Sequence, residues 1–78
     1  MSELKKLFGQ NVANRRKELG LSQEALAEAT GVTVETISHI ERGIHGPKFG
    51  LIEKLEAELK TEASLLFKAL KINGKLQD

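Results

Sequence analysis

The sequence predicts an all-α fold, a compact bundle of five helices around one core, and three observations lead there. Apolar residues recur at helical spacing in one stretch after another. Glycines fall between those stretches, at Gly20, Gly31, Gly43 and Gly46. The 78 residues, 40% of them apolar, suffice for one small core and leave no room for a second.

The elements follow in order. Leu4, Leu7, Phe8, Val12 and Leu19, with Lys5, Lys6, Arg15 and Lys17 between them, predict an amphipathic first helix ended by Gly20. Ser22 can cap a second helix over Gln23–Ala29, made almost wholly of good helix formers. Gly31 then stands where the chain must turn through the left-handed region. Thr33 caps a third helix whose Val32, Ile37 and Ile40 share the buried side with Leu26 and Ala29, leaving Glu35, Thr36, Ser38 and His39 outside. Ala27 is small where the two helix backbones approach, and Gly43 ends the third helix. After the loop Ile44–Gly50, residues Leu51, Ile52, Leu55 and Leu59 give a fourth helix with Glu53, Lys54, Glu56 and Glu58 on its outer side. Thr61 restarts a fifth helix carrying Ala63, Leu65, Leu66, Phe67, Ala69, Leu70 and Ile72, which Asn73 and Gly74 terminate. One domain over 1–72 and a short flexible tail over 73–78 are therefore expected.

The fifth helix carries two apolar stripes. Ala63, Leu66, Phe67 and Leu70 suffice to close the core, so Leu65, Ala69, Ile72 and Leu76 form an extra stripe expected to serve as a homodimer interface.

Composition removes several functional classes. No cysteine is present, so thiolate catalysis, thiolate zinc sites and disulfides are excluded, in keeping with a reducing cytoplasm. The first twenty residues contain no continuous apolar run, so neither a signal peptide nor a membrane span is expected. Catalysis is not expected either: His39 and His45 are the only histidines, no HExxH accompanies them, and Ser38 and His39 point about 100° apart on a helix. No phosphate-cradling GxxxxGK stretch occurs. Neither metal nor cofactor is implied. The formal charge of +1, from 12 Lys and Arg against 11 Asp and Glu, gives bulk electrostatics little weight. Arrangement must carry any case for nucleic acid.

Two short helices joined by a tight glycine turn over Leu21–Gly43 make a helix-turn-helix. Gln23, Ala27, Gly31, Ile37, the run Ile37–Gly43 (ISHIERG) and Pro47 stand at the spacing of one family. From about Leu7 to Leu70 the chain resembles the phage-repressor-like Xre/Cro helix-turn-helix regulators, with their lambda-repressor-like five-helix bundle. The resemblance implies a sequence-specific regulator of transcription, a repressor, binding double-stranded DNA as a homodimer on a two-fold operator, with helix 33–42 in the major groove. It implies a cytoplasmic protein of bacterial or phage origin, associated with the nucleoid when bound. The alternative is a protein-interaction module, an antitoxin or small modulator with a protein partner.

Roles follow residue by residue from the same resemblance. Val34, Glu35, Thr36 and His39 fall at the base-reading positions; Val34 suits a thymine methyl, Glu35 a cytosine amino group, and His39 a guanine or a phosphate. Phosphate anchoring is expected from Ser22 and Gln23, where a helix N-terminus offers free N–H groups, and from His45 and Lys48 in the following loop, with Arg15 and Lys17 adding charge. Arg16 and Glu41 match a structural ion pair that ties the third helix to the first. Departures are also legible: Ile44, His45 and Gly46 stand where relatives carry more basic residues, and Lys48 replaces a Ser or Thr cap. Gly50 in the next turn costs up to about 1 kcal/mol against Ala, so the fourth helix should start softly.

Overall fold

The computed structural model describes residues 3–68, and beyond them the backbone of 71–72 and 75–76. Five helices follow in order: α1 Glu3–Glu18, α2 Gln23–Thr30, α3 Val34–Glu41, α4 Phe49–Leu59 and α5 Ala63–Leu66. A two-rung antiparallel pair follows them, β1 Lys71–Ile72 with β2 Lys75–Leu76, in the register Lys71 to Leu76 and Ile72 to Lys75. The core gathers Phe8 and Val12 of α1, Leu26 of α2, Ile37 and Ile40 of α3, Leu55 and Leu59 of α4 and Leu66 of α5. Phe67 packs its ring on Phe8 with centroids 4.7 Å apart. Among the described residues no helix is long and apolar enough to cross a membrane.

The helix-turn-helix closes as local chemistry dictates. The Ser22 hydroxyl accepts from the Ala25 N–H at 3.0 Å, and the Thr33 hydroxyl from the Thr36 N–H at 3.2 Å. Gly31 takes φ 75°, and the Val32 N–H returns to the Ala27 carbonyl at 3.0 Å. A single left-handed residue thus ends α2 and aims α3. α2 runs one residue further than its composition suggests, and Thr30 replaces Ala29 on the buried side. Thr30 lies one turn beyond Leu26 and gives its hydroxyl to the Leu26 carbonyl at 2.8 Å, whereas Ala29 is exposed.

The fifth helix is the main departure. It spans four residues instead of reaching Ile72. The Asn11 amide of α1 donates to the carbonyls of Leu66 at 2.7 Å and Lys68 at 2.8 Å, taking acceptors that a continuing helix would use. The stripe of Leu65, Ala69, Ile72 and Leu76 therefore does not exist as one helical face. Leu65 is half exposed in α5, Ile72 and Leu76 belong to β1 and β2, and Ala69 lies outside the described residues. Regular backbone pairing also continues past residue 72, where a tail was expected to begin. The exposed apolar surface sits elsewhere: Phe49, 87% exposed, and Leu4, 56% exposed, flank a small hollow backed by Phe8, Ile52 and Phe67.

Candidate nucleic-acid interface

α3 is buried along Ile37 and Ile40 and turns the rest of its surface outward. Val34 and Glu35 are exposed in its first turn, Thr36, Ser38 and His39 are half-buried along its flank, and Arg42 is exposed at its end. The Thr36 hydroxyl lies 3.0 Å from that of Thr33, so it shares the N-terminal cap. Removing that cap with Thr33→Ala is expected to cost about 1 kcal/mol and to lower the melting temperature by roughly 4–8 °C. Calorimetry reads it directly, and an unchanged transition would show that the hydroxyl contributes nothing.

Beside α3 runs an open groove of about 740 Å³, floored by the α2 C-terminus and walled by His39, His45, Lys48 and Lys54. The loop is fastened to the end of α3 by the Ile44 and His45 N–H groups, which donate to the His39 carbonyl at 2.9 and 3.4 Å. The two imidazoles meet edge to face with centroids 5.1 Å apart. Lys48 caps α4 with its backbone alone, its side chain making no capping hydrogen bond. The α4 start therefore lacks a side-chain cap where Lys48 and Gly50 line the groove.

In the last turn of α3, Glu41 receives three donors. Arg16 Nε lies 2.7 Å from Oε2, Arg16 Nη2 3.1 Å from Oε1, and Gln23 Nε2 2.9 Å from Oε1. Arg16 Nη1 donates further to the Leu21 carbonyl at 2.8 Å. The side chains of Arg16 and Glu41 are 10% and 6% exposed. The hydrogen bonds that Arg16 donates to Glu41 raise its guanidinium above the ordinary range, against the opposing effect of burial. Gln23 thus sits at the α2 N-terminus with one amide hydrogen held by Glu41 and the other left over, which fixes the direction of its amide.

The residues expected at this face do not all arrive there. His45 and Lys48 line the groove, Gln23 reaches Glu41 of α3, Ser22 caps α2 through the Ala25 N–H, and Lys17 stays exposed on α1. Arg15 does not reach this face. Its Nε donates to the Leu59 carbonyl at 2.9 Å and its Nη2 to that of Lys60 at 3.3 Å, so it holds the C-terminal end of α4. That end is eleven residues, or about 16 Å, from Lys48. Lys54, expected on the outer side of its helix, is exposed there, and its ammonium lies 3.8 Å from where a Cβ on Gly31 would stand, above the α2 C-terminus. Its place comes from the packing of α4 on α2, which no local pattern in the sequence encodes. Among the described residues no cluster of three or more His, Cys, Asp or Glu could hold a metal.

Comparison with known proteins agrees with this geometry. The family pattern described as Helix-turn-helix matches residues 12–66. An uncharacterized HTH-type transcriptional regulator of Methanothermobacter thermautotrophicus is 43% identical over 51 residues, covering 65% of this chain and 74% of that protein. The HTH-type transcriptional regulator SlrR of Bacillus subtilis is 36% identical over 64 residues, covering 81% of this chain and 42% of that protein. Among solved structures, the restriction-modification controller protein C.AhdI from Aeromonas hydrophila superimposes with a TM-score of 0.76 at 35% identity, covering 81% of this chain and 96% of that one. SinR, the master regulator for biofilm formation, solved in complex with DNA, gives a TM-score of 0.71 at 37% identity over 76% of this chain and 95% of that one.

Proposed function

Because the chain belongs to the helix-turn-helix family, we propose that it is a transcriptional regulator, a repressor, that binds double-stranded DNA with α3 in the major groove. One observation carries this reading: α3 is capped, aimed by Gly31 and anchored through Glu41, while its first turn and the adjoining basic groove remain open. Val34, Glu35, Thr36 and His39 then read base edges, with Thr36 restricted by the cap it shares with Thr33. Phosphates are received by Ser22 and Gln23 at the α2 N-terminus and by His45, Lys48 and Lys54 around the uncapped start of α4, with Lys17 adding charge. Binding as a homodimer would place two α3 helices on half-sites about one helical turn apart. The reading places the protein in the cytoplasm.

The test is fluorescence anisotropy on the duplex upstream of the chain's own gene against a scrambled duplex, at several salt concentrations. Preference of roughly a thousandfold or more, with log K falling steeply in log salt, is the expected result. Equal weak binding of both duplexes by folded protein would overturn specific recognition there. A protein partner is the second reading, favoured by the net charge of only +1.

A further inference from the structure

We propose, resting on the assignment of α3 to DNA, that DNA binding takes up protons at His39 and His45, so that the complex tightens as the pH falls.

The chain has two histidines and no cysteine, and imidazole is the side-chain group that changes charge most readily near neutral pH. Both stand at one place, 5.1 Å apart, in the groove beside α3. His39 continues the outer face of the helix, and His45 is held to it by the loop backbone. Every element around them bears on the charge they meet. α3 supplies Glu35, one turn before His39, and Arg42 at its end. α4 supplies Lys48 and Lys54. α1 runs Lys5 beneath Gly46 and Lys6 beneath Gly43. α2 adds no ionisable side chain to the groove, only Thr30 and Gly31. Among the described residues Glu35 is therefore the one carboxylate lining it.

The surroundings set the sign. Two imidazolium rings at this separation repel one another, and Lys48 and Lys54 in the same groove add to that repulsion. A DNA phosphate entering the groove attracts each imidazolium and has no comparable charge interaction with a neutral imidazole. Bound DNA thus favours the protonated rings, and by reciprocity the protonated rings favour bound DNA. Proton uptake on binding makes log K fall as pH rises, with a slope equal to the number of protons taken up, two at most. Each imidazolium that meets a phosphate also releases a counterion, which steepens the salt dependence.

The experiment is an anisotropy titration of the full chain with one duplex at constant ionic strength, stepped from about pH 8 to about pH 6, with circular dichroism verifying the fold at each step. The dissociation constant is expected to fall at least about tenfold over that range, and the salt slope to steepen by about one unit. In the double variant His39→Gln with His45→Gln, the ratio of the constants at the two ends should approach one, whatever its absolute affinity. A flat profile in the unsubstituted chain, with binding present, would overturn the proposal, as would a slope that survives in the double variant. Absence of binding by folded protein at every pH would instead overturn the assignment of α3 to DNA, and the linkage with it.

Discussion

Arg16→Met is expected to destabilise the fold by about 3 kcal/mol, lowering the melting temperature by roughly 12–24 °C. The size follows from what remains. Glu41 is 6% exposed and would keep only the Gln23 amide, leaving a largely uncompensated charge between α1 and α3. A domain of this size has only about 4–12 kcal/mol in total, so a large share of the folded population's margin is at stake. Combining Arg16→Met with Glu41→Leu should recover most of the loss, because the apolar pair has no charge to desolvate. The folded-state pKa of Arg16 is raised, so its contribution is fully present below the ordinary arginine range and disappears only in strong alkali. The difference between the parent chain and Arg16→Met should accordingly stay flat between about pH 6 and about pH 9. An unchanged melting temperature in the single variant would mean that the pair does not contribute to stability.

Gly9→Ala should also destabilise, although Ala is the better helix former by up to about 1 kcal/mol. Gly9 lies inside α1, where a Cβ would run into the Ile40 carbonyl and come within 2.9 Å of that of Glu41. Those atoms are backbone and cannot swing aside. α1 and α3 must then separate, at an overpacking cost of about 1–3 kcal/mol that outweighs the gain in propensity. Gly50→Ala supplies the contrast. In the first turn of α4 a Cβ would meet nothing within 4 Å, and the same substitution should stabilise by about 0.5–1 kcal/mol. Chemical denaturation of both variants tests the pair, and a stabilised Gly9→Ala would contradict the close approach of the two helices.

The sequence announced what is local and concealed what is tertiary. Ser22, Gly31 and Thr33 act on residues within a few positions of themselves, so their caps and turn could be read directly. Gly9 gave no such signal, because its reason is the backbone of a helix thirty residues away. Arg15 and Arg16 are alike in composition and neighbours in sequence, yet they point about 100° apart on α1. One meets Glu41 and the other the end of α4, and only packing separates those fates. The fifth helix shows the same limit. Its apolar spacing is genuine through Leu66, but the decision to stop rests with Asn11, fifty-five residues earlier. At the proposed interface the first turn of α3 was legible from the motif, whereas Lys54 depended on the crossing of α2 and α4.

Asn11 and Arg15 give α1 a mechanical role. One α1 side chain grips the end of α5, the next grips the end of α4, and Gly9 and Arg16 on the same helix bear on the last turn of α3. α3 itself packs chiefly on α1 and α2. A load applied at α5, as by a second subunit of the proposed homodimer, would be passed through the α1 rod to α3, the helix proposed to meet DNA. Stiffness along α1 would then decide how faithfully the two α3 helices of the proposed dimer keep their spacing.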